Sequence, residues 1–333
     1  MGITDKLVHR INHFYQYYIV KEQYPMLTSF SRRMLKRNGT IGLVYMLHHI
    51  CDKDSKRIPT NEELKVSPAF LEKIILKYRS LGFDFISLDQ LYNLIFSGIK
   101  PQHPFVTFTI DDGYLDNYTK ALPVFERYQV PFTIFVSTDF IDKKAILWWD
   151  TLEELILTND VVMTSDGKCY PCQTYQQRWD TFRYLREKIM DLNQNNLENE
   201  LTELFSRYHI DWYAPIKLQG MSWNHIKSLS EHQLCTIGGH TVSHPVLKNL
   251  SIEAAKYEII EGIKRIEEVT QKKVYYFAYP YGTPNEIGNR EHQIVSSLDV
   301  RLSFMAHQGC LTMNNLREVT HLPRIFLHEN SFI

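Results

Sequence analysis

The run FVTFTIDDG places two adjacent aspartates, Asp111 and Asp112, before Gly113 at the end of an apolar stretch. Two carboxylates side by side repel, and burying them is costly unless a cation or a hydrogen-bond donor compensates. A helix cap and a turn aspartate, with Gly113 at positive φ, is the plainer use of the same residues. A second cluster, GGHTVSHPV, spaces His240 and His244 at i, i+4, which suits two imidazoles on one divalent ion. Thr241 and Val242 offer no carboxylate between them, so a catalytic base must come from elsewhere. Pro245 disfavours helix at His244, so a loop is expected there. A two-histidine site needs an anionic third ligand, and one aspartate of the pair can supply it while the other acts as base. Hydrogen-bonded structural histidines are the competing reading, and the two clusters together favour the metal. His48 and His49, and the tip YPYG at 279–282, are the remaining polar groups of this kind.

For these residues to meet, the segments carrying them must end on one side of a sheet. Val106, Phe108 and Ile110 alternate with Thr107 and Thr109, a strand pattern stopping at Asp111. Strand patterns recur at TIGLVYMLHH, FDFISL, PFTIFVST, LCTIGG, VYYFAYPYG and VRLSFMA. Helical patterns lie between them, opening with Ser67–Pro68 and with the Ser87-x-x-Gln90 capping box. The segment LDNYTKALPVFERYQ reads as one helix. The regularity breaks at about 142–220, which reads as a helical insertion carrying Trp148, Trp149 and Trp212. About seven βα units in series give an α/β fold, an irregular (β/α)7-type barrel with a helical insertion and an N-terminal helical extension. An open doubly wound sheet is the alternative. The expected boundaries are an extension at 1–39 and a barrel at 40–333. No G-x-G-x-x-G or P-loop follows a strand.

The 37 Lys+Arg against 38 Asp+Glu exclude the basic excess of a general nucleic-acid binder. The 44% apolar content of the 333 residues excludes disorder. Five scattered cysteines suggest a reducing compartment, and the single C-x-x-C at Cys169 and Cys172 reads as a turn with two free thiols. Residues 1–40 carry seven Lys/Arg against two Asp/Glu among aromatic residues, so the lead is expected to pack on the barrel or touch an anionic membrane peripherally. Without a signal-like apolar run, a cytoplasmic location is expected, with the inner membrane face as an option.

FTIDDG, HTVSHP and FAYPYG, in this order, resemble the central motifs of the polysaccharide deacetylase family (carbohydrate esterase family four, NodB-homology domain). YMLHHI before SPAFLEKIILKYRSLGFDFISLDQL resembles its poly-N-acetylglucosamine deacetylase branch. The likeness covers roughly 40–140 and 222–326. It implies a metal-dependent hydrolase of carbon–nitrogen bonds in linear amides, releasing acetate and amine from N-acetylated hexosamine units. It further implies Asp111 as general base, Asp112, His240 and His244 as metal ligands, the backbone N–H of Tyr281 at the oxyanion, and His48 as the acid, with His49 in reserve. The ion is expected to be zinc, with cobalt, nickel or iron as alternatives.

The chain departs from that pattern where the family's motif arginine is replaced by Ala278, so something else must orient Asp111. Arg324, in LPRIFLH, is the replacement considered. His328 resembles the C-terminal acid histidine of other branches and competes with His48. The expected partner is an N-acetylated glycan or a lipid- or nucleotide-linked sugar. An O-acetyl glycan esterase using the same site, and a catalytically silent glycan-binding barrel, are the alternatives.

Overall fold

The computed structural model describes residues 39–314 and 319–329; the expected extension at 1–39 falls almost wholly outside them. The described strands are β1 (Thr40–Leu47), β2 (Asp84–Phe85), β3 (Phe105–Asp112), β4 (Phe132–Val136), β5 (Val161–Met163), β6 (Cys169–Pro171), β7 (Cys235–Gly239), β8 (Tyr276–Ala278), β9 (Leu302–Gln308), β10 (Leu311–Thr312) and β11 (Leu322–Phe326). Seven of them pair in parallel around a closed circuit, β1-β3-β4-β7-β8-β9-β11 and back to β1. Closure explains why β3 is covered on both faces although Thr107, Thr109 and Asp111 lie on one of them: all eight of its residues are buried. One face fills the barrel and the other packs under helices. Burying each large apolar side chain contributes about 1.5–3 kcal/mol.

The count of seven agrees with the sequence reading, but one stave differs. The FDFISL segment contributes only β2, which pairs with Phe105 and Val106 at the start of β3. From Phe108 onward that side of β3 belongs to β4. The seventh stave is β11, which joins β1 to β9. The expected single helix at 115–129 is broken into a π turn, Asn117–Ala121, and an α-helix, Leu122–Tyr128. Asn117, buried in that turn, donates its side-chain amide to the His48 carbonyl oxygen at 2.8 Å. The caps are as read: Ser67 accepts from the Phe70 N–H, and Ser87 and Gln90 form a reciprocal box.

Between β4 and β7 the chain forms helices Trp148–Thr158, Tyr175–Met190, Leu197–Leu204 and Ala214–Gln219, with β5 and β6 as an antiparallel hairpin. Leu152, Ile156, Phe182, Leu185, Ile189 and Leu201 give this segment a core of its own. Cys169 is exposed on the hairpin, Cys172 is buried just after it, and both are free thiols. Among the described residues, no helix is long and apolar enough to cross a membrane.

Candidate active site

The strands of a parallel barrel all end at one rim, so each polar strand tip faces the same cleft. That cleft, open to solvent, is lined by His48, Asp111, Asp112, His240, His244, Tyr281 and Arg324 together. His328 is not in the lining. Of seven described non-glycine residues at positive φ, four are on this rim: Asp112, Thr241, His244 and Tyr281. Each costs on the order of 1 kcal/mol or more, and such conformations persist where the surroundings impose them. Gly113, at φ +110°, completes the turn that separates the two carboxylates.

Asp112 faces the histidines. Its Oδ1 is 3.3 Å from His240 Nε2 and 3.4 Å from His244 Nε2. His240 donates its Nδ1–H to the Ala278 carbonyl oxygen at 2.7 Å, which leaves Nε2 with its lone pair toward Asp112. Asp112 Oδ1 is buried without a hydrogen-bond partner. Burial opposes charge on Asp112, yet the neighbouring imidazoles, His244 foremost, hold its carboxyl below the usual range. Burial pushes His244 down to about 4. A buried carboxylate oxygen and two imidazole nitrogens thus converge, and a divalent cation satisfies such a set. The donor set fits the metal expected from the sequence.

Asp111 faces the other way, into a buried guanidinium. Arg324 donates from Nη1 to Oδ1 and from Nη2 to Oδ2, both at 2.7 Å. Its Nε–H bonds the Met305 carbonyl oxygen at 3.0 Å, and Nη1 also donates to Thr109 Oγ1 at 3.1 Å. Thr109 in turn donates to the Tyr45 carbonyl oxygen at 2.8 Å. Arg324 is 1% exposed. Desolvation raises the Asp111 pKa, but the charge and hydrogen bonds of Arg324, together with His240 and His48, bring it below the usual carboxylate range. Arg324 on β11 therefore holds Asp111, the contact considered for it because Ala278 stands in the motif arginine's place.

The two adjacent histidines part company. His48 lines the cleft, edge-on to Phe326, with Nδ1 buried and unpartnered. Burial pulls its pKa below 6.5 against the charges of Asp112 and Asp111. His49 turns outward, bonds Asp116 at 2.8 Å and stacks on Tyr114. Its Nδ1 or Nε2, Cys51 Sγ and an Asp116 oxygen lie within 4.8 Å of one another, but burial pushes the Cys51 thiol up to about 11. His328 packs on Phe326, and burial takes it down to about 4.

The β4–β7 segment closes the far wall. Trp148 and Trp149 line the cleft, while Trp212 packs on Phe205 inside the segment's own core. Trp149 and Tyr281 both contact the His244 ring, at 5.7 and 4.8 Å between centroids. The Trp148 indole N–H donates to the Tyr281 hydroxyl at 3.3 Å.

Sequence reasoning missed the support behind the histidine loop. Glu258, on helix Ile252–Thr270, accepts from the Val242 and Ser243 N–H groups at 2.9 Å each and from Ser243 Oγ at 2.7 Å. One turn on, Gly262 lets the helix approach: a Cβ there would be 2.7 Å from the Thr241 carbonyl carbon. Nothing in a helical E-x-x-x-G spacing announces that role. The loop strain at Thr241 and His244 is held from behind by this carboxylate.

Comparison with known proteins bears on the family and the fold. The polysaccharide deacetylase family model matches residues 98–302. YxkH of Bacillus subtilis (strain 168) is 28% identical over 112 residues, covering 34% of this chain and 37% of that protein, so the alignment spans little over a third of its length. The Streptococcus pyogenes deacetylase PplD, solved with acetate, superposes with a TM-score of 0.56 at 17% identity, over 86% of this chain and 92% of that one. IcaB from Ammonifex degensii gives 0.55 at 18%, over 88% and 94%. These two structures share the barrel fold. On the family match, the chain belongs to the polysaccharide deacetylase family.

Proposed function

We propose that the protein is a metal-dependent N-deacetylase that hydrolyses the acetamide of N-acetylated hexosamine units. The observation that carries this reading is the division of labour within one Asp pair: Asp112 faces two histidines, and Asp111 is ionised and aimed by Arg324. Asp112, His240 and His244 would hold the ion. A divalent ion there supplies Lewis acidity to an amide carbonyl and lowers the pKa of a water from about 15.7 toward 7. Asp111 takes a proton from the attacking water, its carboxylate fixed by two guanidinium bonds. His48 lies in the same lining, and in this reading it delivers a proton to the departing nitrogen. The Tyr281 backbone N–H serves the oxyanion, a contact worth on the order of 3–4 kcal/mol in the transition state.

The test is acetate release from N-acetylglucosamine oligomers by chelated protein, with and without added zinc, cobalt, nickel or iron. Release restored by metal and absent in Asp111→Asn is expected. Acetate release unaffected by chelation, or by that substitution, overturns the assignment.

A further inference from the structure

We propose that the chain holds a second divalent cation, of the zinc type, on His49, Cys51 and Asp116. The site lies outside the catalytic cleft and does not depend on the deacetylase reading. His49 sits in an isolated bridge after β1: its N–H bonds the Leu64 carbonyl oxygen at 3.1 Å, and its own carbonyl accepts from the Val66 N–H at 3.0 Å. The spacing of His49 and Cys51, two residues apart, suits side chains leaving one side of an extended segment. They meet Asp116 where the chain enters the π turn Asn117–Ala121. One His49 ring nitrogen, Cys51 Sγ and an Asp116 oxygen lie within 4.8 Å of one another.

Two of the three ligands are held in place before any ion arrives. The His49 ring packs 3.6 Å from the ring of buried Tyr114. Asp116 Oδ1 accepts from the Asn117 side-chain amide at 2.9 Å, and its Oδ2 lies 2.8 Å from His49 Nδ1. That hydrogen bond accounts for the imidazole and one carboxylate. It does not account for the thiol, or for Asp150, whose Oδ2 is buried without a partner and which lines the same cavity. The cations of this cavity are bonded to other acids, Arg57 to Glu153 and Glu154, and Lys65 to Glu62. A sulfur, an imidazole nitrogen and a carboxylate oxygen together select zinc or cobalt over magnesium or calcium. The Cys51 thiol gives up its proton as the sulfur–metal bond forms. A water on the ion's remaining position gives the orphan oxygen of Asp150 a donor.

The role of this ion is structural. Asn117 already bonds the His48 carbonyl oxygen at 2.8 Å, which ties the π turn to the tip of β1. An ion on His49 and Asp116 ties the same two segments a second time, at the neighbouring residue of each.

The experiment strips the chain with chelator, adds zinc or cobalt(II), and counts ions per chain by elemental analysis after dialysis. Wild type should hold two, and His240→Ala and Cys51→Ser one each. Cobalt-loaded His240→Ala should show the near-ultraviolet charge-transfer band of a cobalt–thiolate bond, which the aspartate–histidine centre cannot give. Cys51→Ser should lack it. Asp116→Asn should weaken cobalt binding, followed by that band, on the order of tenfold or more. His240→Ala without the band, or a band of full intensity in Cys51→Ser, overturns the inference and leaves the deacetylase reading standing. One ion per chain in wild type, carrying the band and lost in Cys51→Ser, supports the inference and removes the metal from the catalytic centre. Should Cys51→Ser lose its melting transition, zinc must protect Cys51 of folded His240→Ala from iodoacetamide, read by peptide mass. Equal labelling with and without zinc overturns the inference.

Discussion

The barrel rim and the β4–β7 wall face one another across the cleft, yet they handle charge in opposite ways. On the rim Asp111 is held by two of the four hydrogen bonds that Arg324 donates, the histidine loop by Glu258, and Asp112 Oδ1 faces two imidazoles without a hydrogen bond. On the wall, Arg183 and Arg186 ride on one helix and pair with its own Asp180 and Glu187. The rim is built for one chemical event and tolerates little change. The wall is a surface whose side chains can vary without disturbing a strand. Changes at the rim should abolish chemistry, and changes at the wall should alter preference or stability.

The sharpest break of this contrast is the ligand set. Asp112→Ala and His240→Ala should each bind one ion fewer per chain, read by elemental analysis, and lose acetate release with it. Asp111→Asn should keep the metal and lose kcat by on the order of 10²–10⁴. An undiminished metal count in Asp112→Ala would contradict the assigned ligand set.

Arg324→Met strands the buried Asp111 carboxylate and should destabilise the fold by about 3–5 kcal/mol in urea unfolding. Combining it with Asp111→Asn should recover most of that stability and none of the activity. Simple additivity of the two losses would show that the pair is not coupled. Glu258→Gln removes the charge that holds the Val242–Ser243 turn and should cost about 1–3 kcal/mol, with weaker metal binding by titration. Unchanged affinity would separate the loop's support from its ligands.

The smallest effect lies on the wall. Asp150 Oδ2 is buried without a partner, and desolvation raises this carboxyl to about 6. The folded chain therefore holds that proton more tightly than the unfolded one. Its stabilising contribution is full below pH about 4 and is lost as pH rises through about 6. Asp150→Asn should be about 1–2 kcal/mol more stable than wild type at pH 7.5 and equal to it at pH 4. A gap that does not widen with pH would remove the burial explanation.

The rim was readable because its demands are local in sequence: DDG, H-x-x-x-H and PYG each sit within a few residues. Arg324 was readable only as a candidate, since its contact with Asp111 spans 213 residues and depends on barrel closure. β2 was misjudged as a stave because two residues of alternation say nothing about which side of β3 is already occupied. Trp179, Arg183 and Arg186, which line the cleft from helix Tyr175–Met190, gave no signal, because an amphipathic face reads the same whether it meets a core or a cleft. Glu258 and Gly262 serve a loop that no pattern links to their helix.

Closure of the barrel sets the order in which the site can be made during synthesis. β1, the first stave, waits on one side for β11, the last, which also seals β9. A chain stopped before residue 322 has two open strand edges, surfaces prone to pairing with other chains. It also holds Asp111 without its counter-charge. This stave is thus both the seam of the fold and the source of Asp111's counter-charge, so fragments lacking it should aggregate and be inert. Activity becomes a report on whether synthesis has passed β11 and the barrel has closed.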